Sequence, residues 1–214
     1  MITVFSHPKG GVGKSMLAFN YAVFLQKKGI DAIVIDLDGQ HSISNFNAIR
    51  KIYGKPVLDI RTFDDTNELI KFLNSIDKNT RIIIDTGGFD SSNNRIALAF
   101  ADKIITPVSD SPVEIMRLLK FSDILEDIEK NLQHKMKTYV VLNRIHPSLK
   151  NIENIKEPFK DSLFYEFLNS TVRDRVRFKF SVSQGNSVFD EDDAIKDEKA
   201  IEELNNLFNE IENI

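Results

Sequence analysis

Residues 7–16 read His7-Pro8-Lys9-Gly10-Gly11-Val12-Gly13-Lys14-Ser15-Met16, a run that joins three glycines to two lysines and a serine. Glycines let backbone N–H groups turn inward on an anion, and a helix that starts directly after them adds a partial positive charge at the same point. Lys14 is placed to reach the outer phosphates of a nucleotide, and the Ser15 hydroxyl is placed to hold Mg²⁺. A glycine turn without a ligand explains the glycines but gives Lys14-Ser15 no purpose. The general phosphate-loop pattern carries a glycine five residues before Gly13; this chain has Pro8 there and a second lysine, Lys9, beside it. By position alone, Lys9 is also readable as a solvated loop lysine.

Two acidic motifs follow. Ile35-Asp36-Leu37-Asp38-Gly39-Gln40 closes one apolar run, and Ile82-Ile83-Ile84-Asp85-Thr86-Gly87-Gly88 closes another. An aspartate ending an apolar strand is the arrangement that holds Mg²⁺ beside a bound nucleotide, so Asp85 is a candidate metal ligand. The glycines after it would let a backbone N–H approach a terminal phosphate and move when that phosphate leaves. Asp36 and Asp38 alternate onto one side of their strand, near the same phosphates, although an Asp-Gly step is also a common turn.

These residues require strands ending at one edge of a sheet. Five apolar, partly β-branched runs read as buried parallel strands: Ile2–Phe5, Ala32–Leu37, Arg81–Asp85, Lys103–Val108 and Thr138–Leu142. Helical patterns lie between them. One runs from Ser15 to Lys28 and stops at Gly29; another opens at Ser111-Pro112-Val113-Glu114, where Ser111 and Glu114 could form a capping box. Strands alternating with helices predict an α/β fold, with a mainly parallel twisted sheet flanked by helices on both faces. Residues 45–62 show no clear pattern. A last helix over about 194–211 carries Ile201, Leu204, Leu207, Phe208 and Ile211 on one face and is expected to pack on the sheet.

The 214 residues suit one domain, and 42% hydrophobic residues suit a globular core. The chain has no cysteine, which excludes disulfides, thiolate metal sites and iron–sulfur clusters and fits a cytoplasmic setting. No signal peptide and no membrane span are expected. The net charge of −4 is unevenly spread: residues 190–214 hold ten acids against two lysines, so residues 1–189 carry +4. The acidic last helix would be repelled by anionic lipid, so no membrane is expected as a partner. The four histidines show no metal-ligand spacing.

The Lys9-Gly-Gly-x-Gly-Lys-Ser loop resembles that of the deviant Walker A ATPases, which include the ParA partition ATPases and the septum-placement ATPase MinD. The likeness extends from about Ile2 to Val188, and the chain looks like the short plasmid type of ParA, without an operator-reading extension. It implies an ATP hydrolase with ATP and Mg²⁺ as cofactors, slow in the absence of a partner. Gly10, Gly11, Val12, Gly13, Lys14, Ser15 and Met16 would bind nucleotide, and Ser15, Asp36 and Asp85 would hold the metal. Lys9, Lys14 and Asp38 would be catalytic. Lys9 would reach across a homodimer to the partner's ATP, and Asp38 would orient water. Asn143, at the end of the fifth strand, matches the family's adenine reader. Gly39 and Gly87 stand where many relatives have proline.

Residues 171–179 hold four basic residues against one acid, before a Gly185-x-x-Val188 element that also resembles ParA. Some relatives use such arginines on DNA phosphates, which makes Arg173, Arg175 and Arg177 candidate contacts to nonspecific DNA. Pairing with the acidic C-terminal residues is the competing reading of the same arginines. The resemblance implies a nucleoid-associated dimer, released when a centromere-binding, ATPase-stimulating partner acts, with plasmid or DNA partition as the output. A MinD-like role in placing other cargo, or in conjugation or secretion assembly, is the alternative.

Overall fold

The computed structural model describes residues 1–190 and 196–214. Its strands are β1 (Ile2–Phe5), β2 (Ala32–Asp36), β3 (Asp59–Arg61), β4 (Arg81–Asp85), β5 (Lys103–Val108), β6 (Thr138–Ile145) and β7 (Tyr165–Arg173). All neighbours pair in parallel, in the order β3-β2-β4-β1-β5-β6-β7. The helices among the described residues are α1 (Lys14–Lys27), α2 (Ser42–Ile52), α3 (Thr66–Ser75), α4 (Ser92–Ala99), α5 (Pro112–Leu132), α6 (Glu153–Lys156), α7 (Val176–Ser183) and α8 (Glu198–Asn213).

Alternation along the central strands sends consecutive side chains into two cores. Phe5, Val34, Ile83 and Val141 face α1 and α8, while Val4, Ile35, Ile84 and Leu142 face the layer containing α3, α4 and α5. Burial on both faces is why these strands read as unbroken apolar runs. Helix α1 lies under the middle of the sheet and is buried from Leu17 through Leu25. It ends as the glycine predicts, with Gly29 at φ 72° and the Ile30 N–H closing on Leu25 O at 3.0 Å.

All five expected strands are present. The two additional strands occupy the sheet edges, and residues 45–62 resolve into most of α2, a turn and β3. Helix α8 begins at Glu198; the earlier start expected at Ala194 lies outside the described residues. Its apolar face is buried at Leu204, Leu207, Phe208 and Ile211. No helix among the described residues is long and apolar enough to cross a membrane.

Sheet order explains where a ligand can sit. The chain builds outward from β1 on one side through β2, then crosses over β1 to reach β5 on the other. The loops after the central strands therefore diverge, leaving a crevice at their C-terminal ends. The loop after β1, with Asp36 ending β2 and Asp85 ending β4, borders that crevice.

Candidate functional site

Register brings the two metal-ligand candidates together. Asp85 pairs with Asp36 on one side and with Phe5 on the other, so both carboxylates open at the root of the glycine loop. The cleft beside them measures about 510 Å³ and is bordered by Gly11, Lys14, Ser15, Asp38, Gln40 and Phe89. Gly13 sits at φ 102° directly before α1, and a Cβ on it would lie 2.3 Å from Asn143 Nδ2. A side chain there would meet both a backbone penalty and a clash. Gly88 has a different constraint: a Cβ would lie 2.4 Å from Gly10 N, because the loop after β4 passes directly over the phosphate loop.

The charges are arranged with little compensation. Asp85 is fully buried, and neither of its carboxylate oxygens has a hydrogen-bond partner. Burial pushes its pKa up to about 8, with Asp36 adding to the rise. Ser15 and Lys14 lie near enough to oppose that rise, although no hydrogen bond of good geometry reaches either oxygen. A buried carboxylate without a partner, beside a second aspartate and a serine hydroxyl, is a donor set that fits Mg²⁺. Asp36 is better satisfied: Ser44 donates to Asp36 Oδ2 from both N (3.0 Å) and Oγ (2.8 Å). Asp38 lies just past the end of β2, in a turn where its Oδ1 accepts from the Gln40 N–H at 3.1 Å.

Both lysines are engaged within the chain. Lys14 is buried and donates from Nζ to the Lys9 carbonyl at 3.0 Å. Burial lowers its pKa, while Asp85 and Asp38 act in the opposite direction. Lys9 Nζ pairs with Glu114 Oε1 at 3.0 Å, and Glu114 Oε2 accepts from the Ser109 N–H, also at 3.0 Å. Burial opposes charge on Glu114, but the Ser109 and Lys9 hydrogen bonds outweigh it and hold the carboxyl below its usual range. The capping box expected at Ser111 is absent for the same reason. Ser111 makes no side-chain cap, and Glu114 turns toward Lys9 instead.

A model of the CobQ/CobB/MinD/ParA nucleotide binding domain matches residues 3–188, from β1 to the turn after α7. The chain belongs to the ParA/MinD family. Its fold agrees with solved structures at 18% identity. A Borrelia burgdorferi protein described as a plasmid partition protein, bound to AMPPNP, aligns over 100% of this chain and 99% of its own with a TM-score of 0.67. The MinD cell division protein of Aquifex aeolicus aligns over 100% and 97% with a TM-score of 0.71. In sequence, "Uncharacterized protein MJECL24" of Methanocaldococcus jannaschii is 29% identical over 132 residues, 60% of this chain and 46% of that protein. The match thus spans under half of that relative's length.

Other residues of this ParA/MinD chain are placed less simply. Asn143 is buried under the phosphate loop, with Nδ2 donating to the Val12 carbonyl at 2.8 Å and Oδ1 left without a partner. Here it braces the loop. Arg175 forks onto Glu203 (3.1 and 2.6 Å), and Arg173 donates to the Leu149 carbonyl at 2.9 Å. The competing reading of the basic stretch, pairing with the acidic C-terminus, therefore describes Arg175. Arg173 closes β7, Arg175 is the residue before α7, and Arg177 is the second residue of α7. Sequence reasoning missed Ser44, which holds Asp36, and Arg144, which donates to the Gly11 carbonyl at 2.6 Å from a left-handed backbone (φ 59°). It also missed Asn94, which donates to the Phe89 carbonyl at 2.6 Å. Ser44 carried no local signal, whereas Arg144 stands next to Asn143, where basic character beside a glycine loop could have marked it.

Proposed function

We propose that this chain is a Mg²⁺-dependent ATP hydrolase that works as a dimerising switch for DNA partition. The observation that carries the reading is the buried, unpartnered carboxylate of Asp85 at the root of the Lys9–Ser15 loop, facing Lys14 and Asp36. Ser15, Asp36 and Asp85 would hold the ion, which neutralises charge developing on the phosphate oxygens. The backbone N–H groups of Gly10 to Met16 would cradle the phosphates, and Lys14 would exchange the Lys9 carbonyl for a phosphate oxygen. Asp38, half-buried at the rim of the cleft beside Gln40, would orient the attacking water.

Lys9 would act in trans. To do so it must leave Glu114, and a partner subunit's triphosphate, with far more negative charge than one carboxylate, is a sufficient competitor. Hydrolysis removes that attraction and lets the dimer part. The basic residues around α7, doubled in a dimer, would grip DNA phosphates without reading sequence. The exposed Lys179 would lead, because Arg173 and Arg175 already serve internal contacts. A stimulating partner would set the lifetime of the DNA-bound state.

Sedimentation of the protein with Mg·ATP, Mg·ADP or neither, with and without nonspecific duplex DNA at two salt concentrations, tests the whole reading. The expected result is a dimer and DNA binding with ATP only. For about four phosphate contacts, DNA affinity should fall roughly a hundredfold between about 50 and 200 mM salt. DNA binding that is indifferent to nucleotide would contradict it.

A further inference from the structure

The turn that ends α7 is gripped from two sides by helices that both begin at the candidate nucleotide site. On one side is α1, which starts in the phosphate loop. Asn20 donates to Met16 O at 2.7 Å within α1, and its Oδ1 accepts from Ser187 Oγ (2.7 Å) and from the Val188 N–H (3.2 Å). On the other side is α2, whose first turn is held by Asp36 through Ser44. At the far end of α2, Arg50 is fully buried and donates from Nη1 to the Gly185 carbonyl at 3.0 Å and to Asp190, and from Nε to the Pro56 carbonyl at 2.9 Å. Gly185 permits the contact: it sits at φ 66°, and a Cβ there would lie 2.4 Å from Arg50 N.

The Gly185-x-x-Val188 element thereby acquires a physical meaning. Gly185 is the close approach to α2, and Val188 the tether to α1. Helix α1 is buried along nearly its whole length, so it serves as the fixed side. Helix α2 is buried among the described positions only at Ile43 and Arg50, so it is the side with freedom to shift. A change at Asp36 would be transmitted through a strut of 11 residues to the turn that terminates α7. A guanidinium is suited to the far end, since its planar fork bonds three acceptors at once in one fixed geometry.

We infer that Arg50 is a positioning residue that couples occupancy of the Asp36/Asp85 site to the placement of α7, with α2 as the moving strut. The inference rests on the nucleotide-binding part of the proposed function, and it extends that reading to how α7 would learn whether the site is filled. Coupling of this kind requires an element whose arrangement both sites bias, and α2 touches both.

The test is amide hydrogen exchange of residues 176–183 with and without Mg²⁺ and AMPPNP, alongside nucleotide affinity measured directly on the same samples. In the wild type, nucleotide should change exchange in α7 by at least about fivefold. In Arg50→Lys that difference should fall below about twofold, with α7 as protected as in the nucleotide-free wild type and AMPPNP affinity within about threefold. Arg50→Met combined with Asp190→Asn removes both buried charges together and should give the same loss if Arg50→Lys does not fold. A wild-type response in either folded variant would overturn the coupling. So would an α7 that exchanges freely in both states of the variant, which would make Arg50 structural only. A wild type that binds AMPPNP without any change in α7 overturns the coupling alone, whereas one that fails to bind AMPPNP overturns the nucleotide reading and the coupling with it.

Discussion

The two ends of the central sheet treat polar groups in opposite ways. At the N-terminal ends of the strands, charges are matched. Arg81 Nη2 meets Glu212 Oε2 at 2.7 Å, Tyr21 donates to the same carboxylate, and Lys103 Nζ caps α8 on the Ile211 carbonyl at 2.6 Å. At the C-terminal ends, His7 Nε2, both oxygens of Asp85, Asn94 Oδ1 and Asn143 Oδ1 are buried without partners. Unpaired buried polar atoms each cost about 1–3 kcal/mol; the molecule keeps the charges of one end matched, with Thr3 Oγ1 an unpartnered hydroxyl there, and leaves a buried carboxylate open for a ligand at the other. The matched end also fastens α8, whose apolar face would otherwise be exposed.

Substitutions should affect the two ends with opposite signs. The largest effect is expected from Asp85→Asn, which should lower phosphate release by about a hundredfold or more by removing the proposed metal ligand. The same change should stabilise the nucleotide-free protein by about 1–3 kcal/mol in a denaturant titration, because an uncompensated buried carboxylate is gone. Lower stability in Asp85→Asn would mean that the carboxylate is satisfied after all. At the other end, Glu212→Ala leaves Arg81 and Tyr21 without their acceptor and should cost about 2 kcal/mol of stability while phosphate release stays near wild type. A loss of activity at matched folded fraction would erase the division between the ends.

The smallest effect concerns His7. Burial lowers its pKa from 6.5 to about 4, with Lys14 adding to the fall. Between those values the unfolded chain binds the proton and the folded protein does not, so stability rises with pH across the window and is lost on acidification. Relative to His7→Gln, the wild type should lose about 1 kcal/mol more between pH 7 and pH 5.5, read from paired denaturant titrations. Equal slopes would place the imidazole in contact with water.

Much of this division was readable from residue order. The glycine loop, the aspartates ending β2 and β4, and five of the strands announce themselves because doubly buried parallel strands are apolar throughout. The edge strands do not. Asp59–Arg61 is three residues long and largely exposed, and β7 contains Asn169-Ser170-Thr171 beside register shifts against β6. At the site, side chains near the loop in sequence were legible, while those delivered by tertiary packing were not. Glu114 reads as a cap until Lys9 is seen against it, and Ser44 has no meaning until α2 folds back on Asp36. The arginines of residues 173–177 read either as a basic patch or as partners of the acidic C-terminus, and only the folded chain shows that Glu203 of α8 claims Arg175, across 28 residues.

The central claim is that Lys9 leaves Glu114 to complete a triphosphate bound by a second copy. Its most direct test is analytical ultracentrifugation with Mg·ATP in an Asp38→Ala background, comparing Lys9 with Lys9→Ala while nucleotide occupancy is measured on the same samples. The account predicts a dimer with Lys9, and a nucleotide-loaded monomer with Lys9→Ala at concentrations about a hundredfold above the dimer's midpoint. A nucleotide-loaded Lys9→Ala protein that dimerises as tightly as its parent would contradict it.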